Sequence, residues 1–269
     1  LMSLVHFFLD DQVLADEEGS NIPLRLSADD LKHFKVLRLR IGEHIAVIDA
    51  AQDYFECEIT DANWDDPRVR ICSRESDPVT GPSVVLFQGI AKGDKSNTIV
   101  RGATEVGVDG IVFVPFSRCV AEVGAKQAPS RLDRLRTIAR SAAMQSGRLA
   151  IPEVSVLSRA EEMDGMLAGA TCVLVFWEEA PLDADFAEAL ALALGAMHCP
   201  AADARVAVVI GPEGGLEAAE VEHILSACPQ SAAVSLGPNI LRTETAGVVA
   251  PALVLSALRR MMRDEQDRR

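Results

Sequence analysis

From residue 84 onward, short unbroken apolar runs alternate with longer stretches of helical periodicity. The runs are VVLFQGI (84–90), GIVFVPF (110–116), CVLVFW (172–177), RVAVVI (205–210) and AAVSL (232–236). A strand that is apolar at every position has no face to give to water, so it must be covered on both sides. Helices between such strands supply the cover, which implies an α/β fold around a parallel sheet. In KGDKSNTIVRGATEVGV, Ile99, Ala103 and Val106 fall at helical spacing. A second helix is expected over 130–148 with Ser130 as its cap, and a mostly apolar one over 243–262.

The first 75 or so residues read differently. HFFLD, EHIAVIDA, YFECEIT and RVRICSR are short runs separated by turn residues, which suggests a small all-β unit. One helical piece, SADDLKHFKVLRL, interrupts them, with Ser27 placed to cap it. ESDPVTGPS then carries two prolines and a glycine. The expected division is a β unit over 1–75, a linker over 76–83 and the α/β domain over 84–269.

Two glycine-bearing loops follow strands of the second domain. In open α/β sheets, ligands bind outside the carboxyl ends of the strands. The first loop is GPEGG, where Gly211, Gly214 and Gly215 allow close backbone approach or positive φ, and Pro212 stiffens the turn. Glu217 and Glu220 follow, as suits a helix N-terminus. The loop reads either as an ordinary strand–helix turn or as a ligand loop. It is not GxxxxGK[ST], and no GxGxxG follows the first strand. A glycine loop without lysine, in a chain of net charge −14, suits a neutral or cationic adenosyl compound better than a polyphosphate. The second loop is LGPNILRTETAG (236–247). Thr243 or Thr245 is expected to cap the last helix, with Glu244 favoured by its dipole. Arg242 either pairs with Glu244 or Glu213, or faces ligand and substrate.

GPEGG followed by LGPNILRTETA resembles the RsmE family of 16S rRNA uridine-N3 methyltransferases, within the SPOUT superfamily. KGDK…ATEVGVD (92–109), SRCV (117–120), RSAAMQSGR (140–148) and WEEA (177–180) follow in the family's order. HFKVLRLRIGEHIAVIDA (33–50) resembles its PUA-like RNA-binding β-barrel. The resemblance spans nearly the whole chain. It implies a SPOUT-type parallel sheet with a trefoil knot, and a homodimer acting on the small ribosomal subunit. It also implies S-adenosylmethionine, held by Phe176, Trp177, Glu178, Ile210, Gly211, Gly215, Leu236, Gly237, Ile240 and Leu241. Arg242 is the expected stabiliser of the uracil anion, and Glu244 a candidate proton acceptor. The sequence departs from the family's common pattern at Met144, His6 and Ala50, positions expected to face RNA or lie in a turn.

RNA binding needs local positive charge, because the acidic total argues against a globally basic binder. One cluster is Lys32, Lys35, Arg38 and Arg40. A second runs along the 130–148 helix with Arg131, Arg134, Arg136, Arg140, Gln145 and Arg148. Lys92, Lys95 and Arg118 could add to it. A solvated charged face is the alternative for each cluster. The six cysteines show no CxxC or metal spacing, so reduced thiols and no metal are expected. The opening LMSLVHFFLDD turns acidic too soon for a signal peptide, and no apolar run reaches the roughly 18 residues of a membrane helix. A soluble cytoplasmic protein is expected. The rival readings are a non-catalytic ribosome assembly factor, or a SPOUT methyltransferase for another base or a ribose 2′-OH.

Overall fold

The structure is a computed structural model that describes residues 4–75, 81–119 and 128–268. Residues 76–80 of the expected linker, and Val120 of SRCV, lie outside the described residues. The chain divides into two compact units, Leu1–Val79 with Ala143–Ala150, and Thr80–Ala142 with Ile151–Arg269.

The first unit holds β1 (Val5–Phe8), β2 (Ile22–Pro23), α1 (Ala28–Leu37), β3 (His44–Ile48), β4 (Tyr54–Asp61) and β5 (Arg68–Glu75). Its sheet runs β1-β3-β4-β5-β2. The pairings are antiparallel except β1 with β3. Among the described residues no ladder joins the edge strands β1 and β2, so the expected barrel is an open five-stranded sheet by its hydrogen bonds. Alternation along β4 buries Phe55, Cys57 and Ile59 on one face. Phe7, Phe34 and Ile45 complete that core. Buried Asp49 is satisfied by the backbone N–H groups of Leu14, Ala51 and Asp53 at 2.9–3.0 Å. Ser27 caps α1 as expected, its hydroxyl accepting from Asp30 N–H at 3.1 Å.

The second unit carries a fully parallel six-stranded sheet. Its strands are β6 (Ser83–Gly89), β7 (Gly110–Val114), β8 (Glu153–Val156), β9 (Cys172–Phe176), β10 (Arg205–Ile210) and β11 (Ser231–Val234). The order is β11-β9-β10-β6-β7-β8. Its helices are α2 (Lys95–Val106), α3 (Ala128–Ser146, whose residues from Ala143 group with the first unit), α4 (Met163–Leu167), α5 (Phe186–Ala196), α6 (Ala218–Ala227) and α7 (Thr243–Gln266). Every residue of β7 and β9 is buried. Their side chains divide between two cores, as a period of two demands. Ile111, Leu174 and Val208 pack with α2, α5 and α7 on one face. Val112, Val175 and Val209 pack with α4 and α6 on the other.

Several local expectations are corrected. Ser130 lies inside α3, whose described part begins at Ala128, so it is not the cap. The helix ends at Ser146, not 148, because Gly147 turns to φ 71°. Gly147 and Arg148 then donate back to the Met144 and Ala143 carbonyls, closing the helix end. Arg148 is therefore beyond the helix rather than on its face. Met144 and His6 are buried rather than turned outward, whereas Ala50 does sit in an exposed turn. The four-residue edge strand β8 has no recognisable run in the sequence. Among the described helices, α7 alone is long and apolar enough to cross a membrane. Its buried residues, Ala250, Val254 and Leu258 among them, are spent on the sheet core.

Candidate active site

Parallel strands put their carboxyl ends on one edge, and three loops leave that edge close together. They follow β9, β10 and β11, which are hydrogen-bonded neighbours. A cavity of about 420 Å³ lies among them, within the ~300–1,000 Å³ typical of ligand pockets. The β9 loop contributes Phe176, Trp177, Glu178 and Leu182. The β10 loop contributes Ile210, Gly211, Pro212, Glu213 and Gly215. The β11 loop contributes Ser235 through Arg242, leading into Thr243 and Ala246 of α7. All ten residues expected around a cofactor line this one cavity, and Arg242 stands on its wall.

The loops are held rigidly. The sequence predicts Thr243 or Thr245 as the cap of α7, but Arg242 occupies the cap position and no side chain caps it. The buried Thr243 hydroxyl instead donates to the Gly211 carbonyl at 2.7 Å. It also accepts from Gln88 Nε2 at 2.8 Å. Gln88, at the end of β6, additionally reaches the carbonyls of Gly211 and Gly89 at 3.3 Å. One buried amide and one hydroxyl thus tie β6, the β10 loop and the start of α7. Gly215 adopts φ 73°, and a Cβ there would collide with the Glu178 carboxylate. A Cβ on Gly89 would collide with the Pro212 nitrogen. Beyond the loop, Glu217 and Glu220 form a reciprocal capping box on α6.

The charges at the cavity are unevenly shared. Lys95 Nζ lies 3.1 Å from Glu213 Oε1 and 3.4 Å from Glu244 Oε2. The hydrogen bond and charge of Glu213 raise the Lys95 pKa above its ordinary value. Partial burial pushes the Glu213 carboxyl up, but the N–H of Lys92, its own N–H and Lys95 outweigh this and hold it below the usual range. Glu244 does not line the cavity. Arg242 is exposed, and among the described residues it has no ion-pair partner within 4.0 Å. The expected pairing of Arg242 with Glu244 or Glu213 is therefore not what forms.

The basic residues are scattered by comparison. Lys32 pairs with Asp29 at 2.9 Å, and Lys35 lies 4.0 Å from the Trp64 ring centre. Arg38 and Arg40 are exposed, as are Lys92 and Gln145. Arg118 bonds the Gly214 carbonyl at 3.2 Å and lies 3.7 Å from Glu217, so it braces the β10 loop. Arg136 is exposed and bonds the Val154 carbonyl at 3.3 Å; Arg140 and Arg148 are half-buried. Arg131 reaches the Ala91 carbonyl and Ser96 hydroxyl at 3.0 Å, and Arg134 pairs with Asp94. Both serve local structure. His44, Glu58 and Cys72 bring ligand atoms within 4.8 Å of one another, but the Glu58 carboxylate is ion-paired to Arg70.

Sequence reasoning did not find Gln88, nor the bridging position of Lys95. A glutamine at the end of an apolar strand carried one faint signal, as a polar residue in a buried run.

A parallel sheet with a loop-built cavity at its carboxyl edge, in a chain that also carries a small sheet unit, is an arrangement that holds a ligand at the strand ends. The family model described as an RNA methyltransferase domain matches residues 79–255, and one described as an RNA methyltransferase PUA domain matches residues 26–72. The chain belongs to the ribosomal RNA small subunit methyltransferase E family. The relative of that name from Mycobacterium bovis is 34% identical over 222 residues, covering 80% of this chain and 79% of the relative. The one from Bacillus subtilis is 29% identical, covering 87% and 88%. The crystal structure of the Neisseria gonorrhoeae enzyme of that name, bound to S-adenosyl methionine, superposes with a TM-score of 0.74 at 25% identity, covering 94% of this chain and 97% of that one.

Proposed function

We propose that this protein methylates N3 of a uridine in the 16S rRNA of the small ribosomal subunit, using S-adenosylmethionine. The observation that carries this reading is Arg242, an exposed guanidinium without an acidic partner among the described residues, on the wall of a cavity made by three strand-end loops. The cavity suits an adenosyl sulfonium. Its walls combine apolar Phe176, Leu236 and Leu241 with loop backbone, and the Glu178 carboxylate lies against Gly215 where a cation would be favoured. Bound there, S-adenosylmethionine supplies a methyl group that moves from sulfur to nitrogen.

The protein's share is positioning and charge. Backbone of the β10 and β11 loops holds the adenosyl part. Uridine N3 sits on the Watson–Crick edge and carries a proton, so the base must be unpaired or flipped. As that proton leaves, Arg242 stabilises the negative charge on the uracil, a task suited to a planar and permanently charged group. We read Glu244 as a partner of Lys95 rather than the proton acceptor, since it lies off the cavity lining. Lys32, Lys35, Arg38 and Arg40 of the first unit, and Lys92, Arg118, Arg136, Arg140, Gln145 and Arg148, make up the proposed RNA contacts. The reading includes the trefoil knot that the family resemblance implies. It also includes a cytoplasmic location and a homodimer, the latter supported by Leu182 and Ile240, which are 70% and 85% exposed and line the cavity.

The test incubates the protein with labelled S-adenosylmethionine and small subunits lacking the modification, then identifies nucleosides by mass spectrometry. We expect 3-methyluridine from the wild type and its loss in Arg242→Ala. Cofactor binding with no methylated nucleoside would mean the wrong substrate or assembly state, absence of both would favour the assembly-factor reading, and a different methylated nucleoside would reassign the target.

A further inference from the structure

Arg242 carries the proposed chemistry only while its guanidinium is free. Two carboxylates belong to the same loops. Glu244 is two residues along, in the first turn of α7, and Glu213 lines the same cavity. A guanidinium pairs readily with carboxylates, often through two parallel hydrogen bonds. Sequence proximity alone therefore predicts that Arg242 should be neutralised.

The structure resolves the competition with a third side chain. Lys95, at the start of α2, reaches both acids, at 3.1 and 3.4 Å. Each acid has a second reason to stay there. Glu213 also accepts from Lys92 N–H at 3.0 Å, and Glu244 sits at a helix N-terminus, where negative charge is favoured. We propose that Lys95 is a positioning residue of the methyl-transfer site, holding Glu213 and Glu244 so that Arg242 stays unpaired for the substrate. The proposal rests on the reading of Arg242 given above. Without Lys95, the two carboxylates lose the cation that neutralises them, and Arg242 shares their loops. Lys95 also lines the cavity, so a direct contact with RNA or cofactor is the competing explanation.

The experiment measures kcat and KM for small subunits, with melting temperature recorded for every variant. In Lys95→Met, kcat should fall by roughly tenfold or more, the scale on which one charge-assisted contact acts. Adding Glu213→Gln and Glu244→Gln to Lys95→Met removes the acids that capture Arg242, and most of the missing kcat should return. Lys95→Arg keeps the cation and should retain most of the activity. A Lys95→Met enzyme with wild-type kcat, or a loss confined to KM, overturns the proposal. So does a triple variant no better than Lys95→Met at equal melting temperature, which would assign Lys95 a direct contact. Arg242→Ala separates the two levels. If it keeps wild-type kcat, the reading of Arg242 falls and Lys95 with it; if it is inactive while the triple variant stays unrescued, only the Lys95 proposal falls.

Discussion

The Thr243 hydroxyl donates a 2.7 Å hydrogen bond to the Gly211 carbonyl, across 32 residues of chain. It joins the first residue of α7 to the first residue of the β10 loop. The two loops that stand out in the sequence are thus one mechanical unit, and Gln88 completes the tie from β6. Thr243→Val keeps the shape but removes the hydroxyl, leaving the Gln88 amide without its best acceptor. We expect a loss of about 1–3 kcal/mol, the penalty for an unsatisfied buried polar group. Thr243→Ser, which keeps the hydroxyl, should lose much less. Denaturant unfolding of the two variants checks this.

Gly215→Ala should damage cofactor binding more than the fold. The residue holds φ 73°, where a side chain is strained at about 1–3 kcal/mol. The new methyl would also push into the Glu178 carboxylate. Calorimetric titration with S-adenosylmethionine should show at least about tenfold weaker binding, corresponding to ~1.4 kcal/mol. Adding Glu178→Ala relieves the collision but not the strain, so recovery should be partial.

His6 makes stability pH-dependent. Burial lowers its pKa below the ordinary 6.5, so the fold holds the neutral ring. Between the folded and unfolded pKa values the unfolded chain binds the extra proton. This contribution is full above the unfolded pKa and is lost as pH falls through the folded one. Thermal melts at about pH 8 and about pH 5.5 should show a drop in the wild type that is smaller in His6→Leu. An equal drop in both would clear His6 of the effect.

Arg38 and Arg40, together with Lys35 over the Trp64 ring, are exposed cations of the first unit that form no ion pair among the described residues. If they meet RNA phosphates, Arg38→Ala with Arg40→Ala should weaken subunit binding. The slope of log affinity against log salt should become shallower by about 0.7–0.9 for each phosphate no longer neutralised. Binding measured across a salt series checks it, and an unchanged slope would make the pair a solvated face.

The strands of the second unit are legible in the sequence because burial on both faces demands apolar residues at every position. β8 is not, since four residues at a sheet edge carry no periodicity to read. The cavity-lining residues are legible as a set because each loop directly follows a buried strand, and the loops carry glycine or proline where backbone must turn. The Ser130 cap fails because α3 already runs from Ala128, and the Thr243 cap for a different reason. A hydroxyl beside a helix start is a cap signal locally, but a tertiary partner can take it, as Gly211 and Gln88 take Thr243. Arg148 would sit on a helix face only if Gly147 were helical, and its left-handed backbone ends the helix instead.

The sequence by itself determined the parallel sheet, the separate small sheet unit and the two loops that carry chemistry, because these follow from local periodicity and backbone stereochemistry. Which charges remain free was decided only by tertiary structure. From the sequence Arg242 could pair with Glu244 or Glu213 or face a ligand, until Lys95 arrives from another helix and pairs with both acids. Ion pairing depends on distances in space, and residues 118 positions apart in the chain have no local pattern through which to announce a 3.1 Å contact.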